Sequence, residues 1–363
     1  MIGSRRIFRK FLATLAVASL SGGLAVAAAG TAQAAPQAWA YALVLKPSGP
    51  VDATHWRESV ASPIPTASPG VVGQEFVKFP MIGFFKQGVV HVTAITPQLA
   101  WCQAQSWHPA GGQEIVAVRC YKKGGVPVFV PFTVMFTSSS GVLPGGLKYA
   151  YVHDAPTGVV ATYNSTGMAD TVANLGTGVW RVTLHGAGPA THSGGVQVTA
   201  VDPKKPAICD VGGQTWTPTK QVIIVRCYNA AGNPEKTGWN LSYQRGRAIT
   251  GATPRRFAYT LNTMPTVPGP YAPLPPAINV NSAAGINSIR SSGVGESLMT
   301  FPRVGVLPNT LFVTAASSAA RVCNLNTVWA TNSVTRIVTV RDVVCYVVSG
   351  VMVPSKSFVT YTT

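Results

Sequence analysis

Charged side chains are scarce in this chain, at 11% of 363 residues against the quarter or so usual for soluble domains, and acids are the scarcest: 11 Asp and Glu against 28 Lys and Arg. So few carboxylates leave a glycosidase pair arithmetically open, but no spacing marks one. There is no Gly-x-Ser-x-Gly elbow, no His-Glu-x-x-His, no Gly-x-x-x-x-Gly-Lys-Ser/Thr loop and no dinucleotide fingerprint. Those absences remove the enzymes that such motifs announce. None of the six histidines occupies a repeated position, so acid/base work has no recurring residue, and no catalytic residue is assigned. No Cys or His recurs in a way that would complete a tetrahedral zinc site, so neither metal nor cofactor is expected. Past the N-terminal segment no stretch keeps a helical period.

What is present is a repeat. Three segments open on Trp39-Ala40-Tyr41, Tyr149-Ala150-Tyr151 and Phe257-Ala258-Tyr259. Each then places Gly, an apolar residue and Gly at identical spacing: Gly73, Phe79, Gly83; Gly178, Leu184, Gly188; Gly295, Phe301, Gly305. A Val-Thr-Ala triplet follows at Val92, Val198 and Val313, and then the cysteine pairs Cys102/Cys120, Cys209/Cys227 and Cys323/Cys345, separated by 18, 18 and 22 positions. A tryptophan lies inside each pair, Trp107, Trp216 and Trp329, and an aromatic strand closes each copy. The period is too long for a solenoid unit, so each copy is expected to own a core. The boundaries read as 35–143, 144–252 and 253–363, joined by short Ser/Gly- or Gly/Pro-bearing linkers of limited freedom.

The first 34 residues read as an export signal: Arg5, Arg6, Arg9 and Lys10, an apolar run from Phe11, then Ala32-Gln33-Ala34 for cleavage. The run is not a membrane anchor. Ser4-Arg5-Arg6-Ile7-Phe8-Arg9-Lys10 is similar to the twin-arginine export motif, departing from it at Arg9. No basic residue precedes the cleavage site, which leaves the ordinary secretory route open. Six cysteines, paired within repeats and bound for an oxidising exterior, predict three intradomain disulfides, each contributing about 3 kcal/mol. Removing the four signal cations leaves 24 Lys and Arg against 11 acids, a net charge of +13. That balance favours anionic surroundings such as wall polymers or acidic polysaccharide, with nucleic acid not expected outside the cell.

Alternating or apolar runs rich in β-branched and aromatic residues, separated by Gly and Pro, predict an all-β fold of three tandem antiparallel β-sandwiches. The architecture is immunoglobulin-like but not that of a true immunoglobulin domain, because cysteines so close in sequence must join neighbouring strands, or strand and loop, of one hairpin. His91 is placed on the face opposite Val90 and Val92, towards solvent, and His185 at a strand end.

Candidate contacts come from what fails to recur. The loop around Asp52, His55, Trp56 and Glu58 has titratable and aromatic members close together, and an exposed indole at Trp56 would stack on a sugar ring. A second group, Arg245, Arg247, Arg255 and Arg256, lies at the junction of the second and third copies, where a solvated linker is the plainer reading. Leu307-Pro308-Asn309-Thr310 is similar to the start of a sortase signal, but Leu311 replaces its glycine and no apolar tail follows.

A signal peptide followed by aromatic-opening, Cys-hairpin β repeats resembles exported tandem-repeat proteins of filamentous soil bacteria. That resemblance implies secretion but carries no activity. The expectation is a secreted, non-catalytic binding or structural protein acting at the cell envelope or on an anionic or glycan polymer. The alternatives are an extracellular hydrolase with a site in the loops of one domain, or a protein-binding or inhibitor module. Ligand identity and oligomeric state are not readable.

Overall fold

The computed structural model describes residues 38–84, 87–140, 147–188, 194–252, 256–273 and 278–363. The export segment and Arg255 lie outside these. The chain is all-β, with 27 strands in several sheets among the described residues. In each repeat the opening strand lies between a short edge strand and the closing strand, and the closing strand pairs with the Val-Thr-Ala strand. The order is Trp56–Glu58, Ala38–Val44, Phe132–Ser138, Val89–Ala94 in the first copy. In the second it is Gly158–Asn164, Lys148–Ala155, Gly238–Arg245, Gly195–Val201, and in the third Asn279–Asn281, Phe257–Asn262, Ser357–Thr362, Thr310–Ala315. The cysteine hairpins build the remaining sheets, and one parallel pairing, Val201 with Ala104, joins the hairpin of copy one to the second copy.

Each cysteine pair faces itself across a hairpin, as the short spacing demands. Cys102–Cys120, Cys209–Cys227 and Cys323–Cys345 are bonded, with Cα atoms 4.0, 4.1 and 4.1 Å apart. The first glycine of each repeat is fixed by the same hairpin. Gly73, Gly178 and Gly295 have φ of 75°, 70° and 75°, and their carbonyls accept from the N–H of Cys120, Cys227 and Cys345 at 2.8, 2.8 and 2.9 Å. A Cβ on Gly178 would meet the Cys227 carbonyl oxygen at 2.5 Å, so only glycine fits this bend.

The inner strands are buried on both faces, unlike an ordinary antiparallel sheet with one wet side. In the opener, Ala40 and Ala42 enter a cluster with Val77, Phe79 and Val116 of their own repeat. Trp39 and Tyr41 point the other way, packing with Ile249 and Phe312 of the other copies. The aromatic landmarks therefore build junctions between repeats rather than cores within them.

Those junctions close a ring. The N–H of Val92 donates to Thr199 Oγ1, that of Val198 to Thr314 Oγ1, and that of Val313 to Thr93 Oγ1, at 3.4, 3.1 and 3.0 Å. The residue after the first cysteine repeats the pattern. Gln103 Oε1 accepts from Ala207 N at 2.8 Å, Asp210 Oδ2 accepts from Arg321 N at 2.9 Å, and Asn324 Nδ2 donates to the Gln98 carbonyl at 3.0 Å. Opener tyrosines do likewise, Tyr41 donating to the Pro308 carbonyl and Tyr259 accepting from Gly246 N.

Two expectations are corrected by this ring. His91 is 1% exposed, its two ring nitrogens bridging Thr199 Oγ1 at 3.0 Å and Ser242 Oγ at 2.8 Å, because the face opposite Val90 meets the next repeat instead of water. Burial pushes its pKa down to about 3, so the ring is neutral. The stretch after Arg245 is not a solvated linker either: Ala248 and Ile249 are fully buried, and Thr250 accepts from Thr137 Oγ1. His185 does end its strand, as expected.

Candidate functional site

Trp56 lies on a short edge strand, paired to Ala42, rather than in an open loop. Its indole is half-buried against the core of the first repeat, which corrects the picture of a freely exposed ring. With Arg57, Glu58, Ser62, Leu307 and Pro308 it lines a groove of about 630 Å³. Arg57 lies over the Trp39 ring at 5.9 Å. Glu58 reaches the Met81 N–H at 3.2 Å through one oxygen, and burial raises its carboxyl to about 7.

His55 is held from one side. Burial raises the Asp52 carboxyl, but bonds from Thr54 and His55 outweigh it and hold the group below its ordinary value. An ionised carboxylate only accepts, so His55 Nδ1 donates to Asp52 Oδ1 at 2.7 Å. The ring meets Trp329 edge-on at 5.0 Å between centroids. An oriented His–Asp pair is one part of a hydrolytic triad, yet the hydroxyl bonded to it among the described residues, Thr54 Oγ1, lies 2.9 Å from the same Nδ1 nitrogen and not on the catalytic side of the ring.

Arg245, Arg247 and Arg256 do not line this groove. Arg245 ends a strand opposite Lys148 and is half-buried. Arg247 is 5% exposed and donates to the Gly251 carbonyl, and Arg256 donates to the Arg303 carbonyl. The sorting-like tetrapeptide is structural: Asn309 is fully buried and accepts from Trp329 Nε1 at 2.7 Å.

The property that sequence reading missed belongs to the whole surface. Glu58, Glu75, Glu114, Asp154 and Asp210 are buried, and the other six of the 11 acidic side chains are only partly exposed. Lys46, Lys122, Arg181, Lys204, Lys220 and Arg341, among other cations, are exposed. Burial also lifts carboxyl pKa values, to about 7 for Glu75, about 8 for Glu114 and about 6 for Asp154, and Asp210 well above its ordinary value. Glu114 therefore keeps its proton at neutrality and Glu75 does so in part, which adds to the cationic balance. The alternation Glu75-Phe76-Val77-Lys78-Phe79, with Glu75, Val77 and Phe79 on the inward face, was the available signal.

The chain thus falls in the class of disulfide-bonded all-β proteins with a basic surface. No helix among the described residues is long and apolar enough to cross a membrane. Comparison with known proteins adds no relative, since no protein family, curated protein or solved structure matches the chain.

Proposed function

We propose that this is an exported, non-catalytic binding protein of three tandem β-sandwich domains, 35–143, 144–252 and 253–363, acting on an anionic polymer of the cell envelope or its surroundings. The observation that carries the reading is the surface of exposed cations on which carboxylates are buried or only partly exposed. Such a surface attracts polyanions and releases their counterions, whatever residue makes the closest contact. Grooves of about 630 and 570 Å³ lie between repeats one and three and between repeats two and three. Support for export is the signal-like N-terminus and three disulfides, which persist in oxidising compartments.

The test is binding of the full mature chain to polygalacturonate, with dextran as the neutral control. Binding that weakens steeply between low and physiological salt, with none to dextran, is the expected result; equal or absent binding to both polymers overturns the reading. One observation favours a hydrolase, the Asp52–His55 pair. Turnover of ester, glycoside or peptide substrates that disappears in His55→Ala would establish that alternative.

A further inference from the structure

The tryptophan inside each cysteine pair reaches the junction with the next repeat, and two of the three are capped by a histidine. Trp107 meets His153 of the second copy at 4.7 Å, edge to face, and Trp329 meets His55 of the first copy at 5.0 Å. At the junction of copies two and three no histidine among the described residues stacks on Trp216. The position two residues after the opener tyrosine holds His153 in the second repeat and Leu261 in the third. Leu261 lines the groove beside Trp216, whose indole is 36% exposed.

Trp216 separates two grooves of about 570 and 840 Å³ and lines both. Arg321 and Lys356 line the first, Arg181, His185 and Lys220 the second, and neither groove has a carboxylate among its described lining residues. Two acids adjoin lining residues in sequence: Asp210, beside Val211, is buried and accepts from the Arg321 N–H at 2.9 Å, and Asp170, beside Thr171, accepts from Asn164 Nδ2 at 2.6 Å. Gln214 forms the wall between the grooves, and both ends of its amide are buried without a hydrogen-bond partner. An unpaired buried amide is destabilising, and positions that retain such a feature against the fold tend to be functional.

We infer that this uncapped junction is a binding site for an acidic polysaccharide, with one pyranose lying flat on Trp216 and carboxylates on flanking sugars meeting the cations on either side. The inference rests on the polyanion-binding reading above and deepens it. A flat indole favours the C–H face of a sugar ring, which a bare phosphate chain lacks, and cations on both sides suit a ligand charged at regular intervals. The groove volumes are of ligand size.

The experiment titrates the full mature chain with polygalacturonate, polyphosphate, duplex DNA and dextran, for the wild type, Trp216→Ala, Trp216→Phe and the double variant Arg181→Gln/Lys220→Gln. The expected result is that Trp216→Ala weakens polygalacturonate binding about tenfold, the scale of one lost stacking contact, while Trp216→Phe stays near wild type. The double variant, at two exposed residues, should weaken binding and flatten its salt dependence without changing the melting temperature. Unchanged polygalacturonate binding by both Trp216→Ala and the double variant overturns the site while leaving the polyanion reading standing. Wild-type binding to polyphosphate or DNA as tight as to polygalacturonate, with Trp216 without effect, reduces the surface to unspecific charge and also overturns the site. No binding to any polyanion removes the functional reading and the site together.

Discussion

Buried acids set the chemistry of this protein at the level of single residues. Glu114 is fully buried, neither carboxyl oxygen has a partner, and burial lifts its pKa to about 8. The folded state therefore binds its proton more tightly than the unfolded chain does. Its contribution is fully present below the ordinary glutamate pKa and is lost as pH rises through about 8; Glu58 and Glu75, at about 7, act in the same direction. Stability by urea denaturation is expected to be higher at pH 5 than at pH 9. Glu114→Gln should flatten that slope and raise stability at pH 9 by on the order of 2 kcal/mol, since it removes the charge that must otherwise be buried. A protein most stable at alkaline pH would refute this account. His91, neutral and bonded on both nitrogens, should not titrate between pH 5 and 8, which imidazole NMR shifts would report.

Among elements, the cysteine hairpin and the glycine that docks on it are the unit the chain repeats most faithfully. The glycine carbonyl accepts from the second cysteine in all three copies, and the left-handed φ leaves no room for a side chain. Gly178→Ala should cost about 2–4 kcal/mol, combining the φ penalty with a backbone clash that cannot relax while the bridge holds. Replacing both Cys209 and Cys227 by Ser should cost about 3 kcal/mol through the looser unfolded chain. Chemical denaturation separates the two, because reduction breaks three bridges in Gly178→Ala but only the remaining two in the serine pair, whose stability should fall by less. The inner strands were legible as strands, but not as strands wet on neither side. Period-2 alternation marks one inward face, and Thr93, Gln197, Thr199 and Thr314 on the other face look like solvent-facing polar residues until a partner covers them.

For the whole molecule, the ring of contacts makes the repeats interdependent. The described residues belong to one compact unit, and the valine-to-threonine bonds join residues 107, 116 and 220 positions apart. A fragment ending at residue 252 would expose the polar inner faces of two copies and strip Phe312 from the cluster around Ile249. It should aggregate or melt far below the full chain, whereas co-expression with 253–363 should restore a soluble complex by size exclusion and circular dichroism. Independent folding of the fragment at the native melting temperature would contradict the ring. The sequence by itself determined the strands, the bridges, the glycine bends and the triple repeat, because propensity, turn chemistry and cysteine spacing act over short stretches of chain. Only the tertiary structure decided that Trp39 and Tyr41 face a neighbour, that His91 is dry, that Arg245, Arg247 and Arg256 separate from Trp56, and that Trp216, among the described residues, has no histidine ring against it where Trp107 and Trp329 do. Those outcomes depend on which residues meet across more than a hundred positions, and that is fixed by the closing of the ring and not by any local pattern.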